Sequence, residues 1–272
     1  MVFILCILIG LTTAFIGSLM GLGGGVILIP ILLFLSSFMD SFAWVSPQTI
    51  VGISLVTMIF TALSSTIAYS KIGRVDYKTG LLFLSGSIPG GVLGSWFNQF
   101  VHTNDFLLYF GFVMIMISLL FFVKLKPKEQ PVTGKWQVMR TFRVDGITYH
   151  YTVSIWLAFV LSLFVGTLSG LFGIGGGAIM VPAMIMLFGF PVHIATATSM
   201  FMILFVSAIS GSTHIILGHI AWEYVLFFIV GAWIGGKLGV AVNQMLPGKT
   251  LEWILRILLI MIGLRMIFQG LA

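Results

Sequence analysis

Charged side chains are what this 272-residue sequence has least of: Asp, Glu, Lys and Arg together supply 7% of it. A water-soluble domain carries about 25%, so this chain cannot cover a water-facing surface. Cysteine is nearly missing too. The single Cys6 excludes an internal disulfide and a cysteine-held metal cluster. None of the five histidines is spaced with a carboxylate as metal ligands are, and no serine, cysteine or zinc-hydrolase signature is present. No carboxylate lies deep in an apolar run. Glu223 and Glu252 stand at segment starts, so the pattern offers no buried carboxylate proton relay. The apolar N-terminus has no charged n-region, and a cleaved signal peptide is not expected. These absences argue against an enzyme and against a metal or other cofactor.

What is present is apolar. Hydrophobic residues make up 59% of the chain and mean hydropathy is +1.17. Such a chain takes lipid as its solvent and folds as one α-helical membrane unit. Apolar runs fall at 2–35, 48–70, 79–97, 106–123, 153–189, 194–217, 224–242 and 251–268. Six are near the length of about 20 residues that crosses a bilayer. The first and fifth are too long. Thirty-four helical residues would reach about 51 Å, against a hydrocarbon core of about 30 Å. Each must break and turn, so eight to ten membrane segments are expected.

The formal net charge is +6, but the basic residues do not form a docking face for nucleic acid. Lys71, Arg74 and Lys78 share one short loop, and Lys124, Lys126, Lys128, Lys135, Arg140 and Arg143 share one connector. Cations confined to loops between apolar runs mark the cytoplasmic side of a membrane and contact its lipid headgroups. The connector, 124–152, is the one polar stretch. Its second part, WQVMRTFRVDGITYHYTV, alternates apolar and polar residues about Asp145-Gly146 and predicts a small cytoplasmic β-hairpin.

The two sides of the connector are related. GLGGGVILIP at 21–30 and GIGGGAIMVP at 173–182 share six of ten residues, 152 positions apart. GSIPGGVLGSWFNQF at 86–100 matches GAWIGGKLGVAVNQM at 231–245, now 145 apart, and VGISL at 51–55 lies opposite TATSM at 196–200 at the same offset. The second half has therefore lost seven residues, in the loop that reads SSFMDSFAWVSP in the first. The expected organisation is a first transmembrane repeat at 1–123, the connector at 124–152 and a second repeat at 153–272. The loop at 71–78 is basic and its equivalent near 216–223 is not, whereas the loop at 98–105 has no Lys or Arg and its equivalent has Lys249, with Arg256 close behind. The positive side swaps between halves, which favours inverted repeats of five segments each. Four crossings per half with re-entrant opening hairpins, and parallel repeats, are the alternative.

Three uses compete for the triple glycines. A nucleotide loop needs Lys-Ser/Thr or an acidic partner, and Val26 and Ala178 follow instead. Close helix packing suits Gly86, Gly90, Gly91 and Gly94 better than three glycines in a row. A discontinuous helix suits the triplets best. Consecutive glycines unwind the helix, and the resumed half-helix turns free N–H groups and partial positive charge toward a cavity. Two such breaks meeting near the midplane would hold a small anion. Gly23, Gly24, Gly25, Gly175, Gly176 and Gly177 are the candidate binding residues. Ser54, Thr196, Thr198 and Ser199 can add hydroxyls, or can bond back to their own helices. Lys237 replaces Val92 of the first half inside an apolar run; it either faces the path or snorkels to the headgroups. Asn98-Gln99 and Asn243-Gln244 end their segments and read as caps.

These paired motifs, with TATSM and the two glycine-rich segments, resemble the TauE/SafE family of membrane transporters, named for sulfite and organosulfonate export. The resemblance spans both halves. It implies a secondary carrier that moves a small sulfur-containing anion, of the sulfite, sulfoacetate or thiosulfate class, across the bacterial inner membrane. No ATP-binding motif is present, so an ion gradient (H+ or Na+) or the substrate gradient would supply the energy. An anion channel, or a transporter of a different small organic anion, is the competing function. The pattern names no direction, coupling ion or oligomeric state.

Overall fold

The computed structural model describes residues 2–42, 44–120, 136–144 and 147–247, and individual residues of the last segment between 250 and 268. Lys124, Lys126, Lys128 and Lys135, the turn at Asp145-Gly146, and Lys249, Glu252 and Arg256 lie outside the described residues.

The chain is mostly helical: α1 (Val2–Met20), α2 (Gly25–Ser36), α3 (Pro47–Lys71), α4 (Tyr77–Asn98), α5 (Thr103–Leu120), α6 (Ile155–Phe172), α7 (Gly177–Phe188), α8 (Val192–Ile216) and α9 (Trp222–Met245). Described residues between 253 and 268 are helical as well. Among the described residues, six helices (α1, α3, α4, α6, α8 and α9) are long and apolar enough to cross a membrane. The two 12-residue helices, α2 and α7, reach only about 18 Å, too little to cross.

The long apolar runs break at their glycines. α6 ends on Gly173 in the left-handed region (φ 66°), and Gly175 and Gly176 follow at 74° and 71° before α7 begins. Gly21, Gly23 and Gly24 do the same between α1 and α2, at 76°, 85° and 101°. A side chain with a Cβ resists such angles, so the sequence stops both helices here. The connection from α2 to α3 runs over 37–46 and holds a short 3₁₀ turn, Asp40–Phe42; that from α7 to α8 runs over 189–191, seven residues shorter. α3 opens on a capping box of Ser46 and Thr49 with Pro47 at the first helical position. Asp76 caps α4 by accepting from the Thr79 N–H.

Each half packs its first helix on the other half. Gly231, Gly235 and Gly239 of α9 lie against residues 7, 11 and 15 of α1, where a Cβ on Gly235 would sit 2.9 Å from the Phe15 nitrogen. Gly86, Gly90 and Gly94 of α4 lie in the same way against Phe159, Leu163 and Thr167 of α6. Small residues every fourth position let two backbones touch, which in lipid is the main source of helix attraction. Both pairs run parallel. The central helices α3 and α8 run opposite ways: Gly52, early in α3, meets His219 and Ile220 after the end of α8, while Thr198, early in α8, accepts from the Asp76 N–H beyond the end of α3.

Strands β1 (Gln137–Val144) and β2 (Ile147–Ser154) form an antiparallel hairpin from Gln137 opposite Ser154 to Val144 opposite Ile147. The hairpin docks through β2. Tyr151 donates from its hydroxyl to Asp76 Oδ2 at 2.6 Å and packs its ring 4.0 Å from that of Phe190.

Candidate anion site at two broken helices

The two glycine segments pass one another at the centre of the molecule. Gly23 and Gly175 both face Met58 and Ile203, with a Cβ on either placed 2.9 Å and 2.6 Å from Met58 Sδ. Gly25, the first residue of α2, lies against the Gly173 carbonyl, and Gly177, the first of α7, lies against that of Gly21. Neither position has room for a side chain.

Two serines lock this crossing. Ser54 on α3 donates to the Gly173 carbonyl at 2.7 Å, and Ser199 on α8 donates to the Gly21 carbonyl at 2.5 Å. Each therefore bonds to the opposite half rather than back to its own helix. Around them, the carbonyl ends of the broken helices are capped the same way. Asn98 and Asn243 donate to the Leu171 and Leu19 carbonyls, both at 2.7 Å. Tyr69 donates to the Ser18 carbonyl at 3.1 Å. The caps expected at the segment ends are thus present, but they serve α6 and α1 rather than their own helices.

The N-terminal ends differ. Ile27 and Leu28 bond to the Gly24 carbonyl, and Ile179 and Met180 to that of Gly176. Among the described residues, the N–H groups of Gly24, Gly25 and Val26, and of Gly176, Gly177 and Ala178, have no acceptor, and all six residues are buried. A buried donor left unpaired costs roughly 1–3 kcal/mol, and a helix start carries about half a positive charge. Three such donors stand at each helix start, those of α2 close to Thr13 and Gly17 of α1 and those of α7 close to Val165 and Ser169 of α6, and N–H groups of this kind suit an anion.

The remaining candidates are not brought to this centre by their polar atoms. Thr196 bonds back to the Val192 carbonyl at 2.9 Å, though its backbone touches Gly21. Thr198 receives the Asp76 N–H at 3.0 Å. Lys237 is exposed on the outer face of α9, its Nζ 5.2 Å from the centre of the Trp233 ring.

A small cavity opens beside Gly175, Gly176 and Gly177, bounded by Ser87, Val165, Gly166, Ser199 and Ile203. Its volume, about 10 Å³, is near what one water molecule needs. Ser87 went unnoticed from sequence, as did Ser169 close to Gly176. The signal was available: in the half-to-half alignment they stand opposite Ala232 and Gly17.

The family model described as sulfite exporter TauE/SafE matches residues 6–266. The probable membrane transporter protein YunE of Bacillus subtilis is 46% identical over 275 residues, covering 99% of both chains. Probable membrane transporter MJ0441 of Methanocaldococcus jannaschii is 26% identical over 97% of this chain and 94% of its own. A probable membrane transporter of Haemophilus influenzae is 24% identical over 98% of each. No solved structure matches the chain significantly. With helices fit to cross a membrane and a family match along nearly its whole length, the chain belongs to the TauE/SafE family of probable membrane transporters.

Proposed function

We propose that this protein is a secondary carrier of a small anion, of the sulfur oxyanion or organosulfonate class (sulfite, sulfoacetate, thiosulfate), working by alternating access in the bacterial cytoplasmic membrane. The observation that carries this is the meeting of two helix starts, each with three buried N–H groups lacking acceptors, on one pair of side chains, Met58 and Ile203. Donors held in a low-dielectric centre by Ser54 and Ser199 attract an anion without a buried cation. The sulfur class rests on the family's description, not on the donors, which suit any small oxyanion.

Inverted repeats at 1–123 and 153–272 supply the mechanism. The opposite courses of α3 and α8, the reciprocal serine bonds and the paired α1–α9 and α4–α6 contacts support them. Two halves related by a pseudo-two-fold axis in the membrane plane can exchange conformations, which opens the same centre first to one side and then to the other. Met58 and Ile203 fill the space between the glycine segments and the cavity has room for about one water, so among the described residues no continuous pore passes this point, which supports a carrier over an open channel. Lys71, Arg74 and Lys78, beside the hairpin's Arg140 and Arg143, put that end in the cytoplasm. H+ or Na+ is the coupling ion of this reading, and the lipid bilayer its setting.

The test is a thermal-stability screen of purified protein against sulfite, thiosulfate, sulfoacetate, sulfate and chloride. A ligand bound only by the folded state at 100 times its Kd adds about 2.7 kcal/mol. Stabilisation by a sulfur oxyanion or sulfonate supports the reading. Equal melting in all five sinks it.

A further inference from the structure

We infer that the anion site is one-sided: the hydroxyls of Ser87 and Ser169 complete it at the start of α7, and α2 has no counterpart. This rests on the carrier reading above. The two halves differ at one residue that decides whether the glycine loop can leave room. In the first half Gly17 carries no side chain, and the loop falls onto α1; a Cβ on Gly17 would lie 2.5 Å from the Gly24 Cα and 2.7 Å from the Gly23 carbonyl carbon. In the second half the equivalent residue is Ser169. Its Cβ stands 3.6 Å from where a Gly176 Cβ would be, and its Oγ 3.8 Å. One extra carbon holds the loop off α6, and the small cavity lies on that side.

That cavity has unpaired hydroxyls. Ser87, 2% exposed, lines it, and Ser169, fully buried, adjoins it; neither Oγ has a hydrogen-bond partner. The position equivalent to Ser87 in the other half is Ala232, which offers nothing to bond. An unpaired buried hydroxyl is a standing cost. Here Ser87 lines the cavity together with Gly176 and Gly177, whose N–H groups have no acceptor among the described residues, and Ser169 stands against Gly176. Hydroxyls and N–H groups are all donors, and the oxygens of an oxyanion are the acceptors they lack. The cavity must widen to admit one.

The experiment uses the purified full-length chain and its S87A and S169A variants, titrated with sulfite and thiosulfate at constant ionic strength in chloride. Without oxyanion, each variant melts at or above the native temperature, because removing an unpaired hydroxyl takes nothing from the fold. With oxyanion, the apparent Kd weakens about ten-fold or more in each, as loss of a hydrogen bond to a charged group implies. Unchanged affinity in both variants overturns the one-sided site and leaves the carrier reading standing. A variant that melts markedly lower without oxyanion shows the hydroxyl to be structural, and also overturns it. If neither oxyanion stabilises the native chain, this oxyanion site falls, while the carrier reading falls only if sulfoacetate also fails in the screen above.

Discussion

The Ser54 hydroxyl donates a 2.7 Å hydrogen bond to the Gly173 carbonyl, 119 residues further along the chain. Ser199 returns the bond to Gly21 across 178 residues. Each central helix thereby fixes the glycine loop of the opposite half. Replacing Ser54 or Ser199 by Ala leaves a buried carbonyl unpaired, which costs about 1–3 kcal/mol. Both variants are expected to melt lower than the native protein in the same detergent. Melting unchanged in both would mean that the loops are held by packing alone.

Gly24 and Gly176 should respond differently to valine. Both sit at positive φ, which a β-branched residue resists. A Cβ on Gly24 also meets the Thr13 carbonyl oxygen at 2.9 Å, a backbone atom that cannot step aside, whereas on Gly176 the nearest atom is Val165 Cγ1 at 3.2 Å. Gly24→Val is expected to reduce the amount of folded protein in the membrane. Gly176→Val is expected to insert and to lose transport. Uptake normalised to folded protein, measured for both, separates the two; normal transport in each would remove the glycines from the site.

Cysteine accessibility tests the topology. Gly73 and Gly218 lie in the loops after α3 and α8, with open space around both. In a Cys6→Ala background, Gly218→Cys is expected to react with an impermeant thiol reagent added outside intact cells, and Gly73→Cys only after the cells are opened. Labelling of both from one side would mean parallel repeats.

Lys237 is exposed beside Trp233, away from the glycine centre. Lys237→Met is therefore expected to leave the half-saturation concentration of uptake unchanged. A five-fold or larger rise would place the ammonium on the path after all.

The hairpin is tied down by Tyr151, whose hydroxyl meets Asp76. Burial, and then the bond to Asp76, push the Tyr151 pKa above its ordinary 10.0. The folded state thus holds this proton more tightly than the unfolded chain. The associated stability is complete below pH 10 and is lost as pH rises beyond it. Tyr151→Phe is expected to lower the melting temperature at neutral pH and to flatten its fall above pH 10. Identical alkaline profiles for the two proteins would show that another group controls that loss.

Much of this architecture was legible in the chain. The length of the opening runs required a break, and glycine clusters gave the only economical place for it. Alternation about Asp145-Gly146 specified the hairpin, and the change of offset from 152 to 145 located the shorter connection before α8. The partners of Ser54 and Ser199 were not legible, because they lie in the other half and depend on how the halves interlock. The facing of Lys237 was closer to reach. Gly231, Gly235 and Gly239 mark the packed side of α9 by their spacing of four, and Lys237 stands about 200° around the helix from Gly235. The cavity at Ser169 was hidden by the symmetry itself, since the repeats invite matching of what they share and not of the single Cβ by which they differ.

The central claim is that a small sulfur oxyanion binds at the crossing of the two broken helices and is carried across. Counterflow in proteoliposomes measures this most directly. Vesicles containing the native chain are loaded with unlabelled thiosulfate or sulfite, and entry of the same labelled anion is followed as its outside concentration rises. The account predicts uptake that saturates, accelerates with internal unlabelled anion, and disappears in Gly176→Val. Uptake that rises linearly without saturation or acceleration, or a folded native protein that moves neither anion, would contradict it.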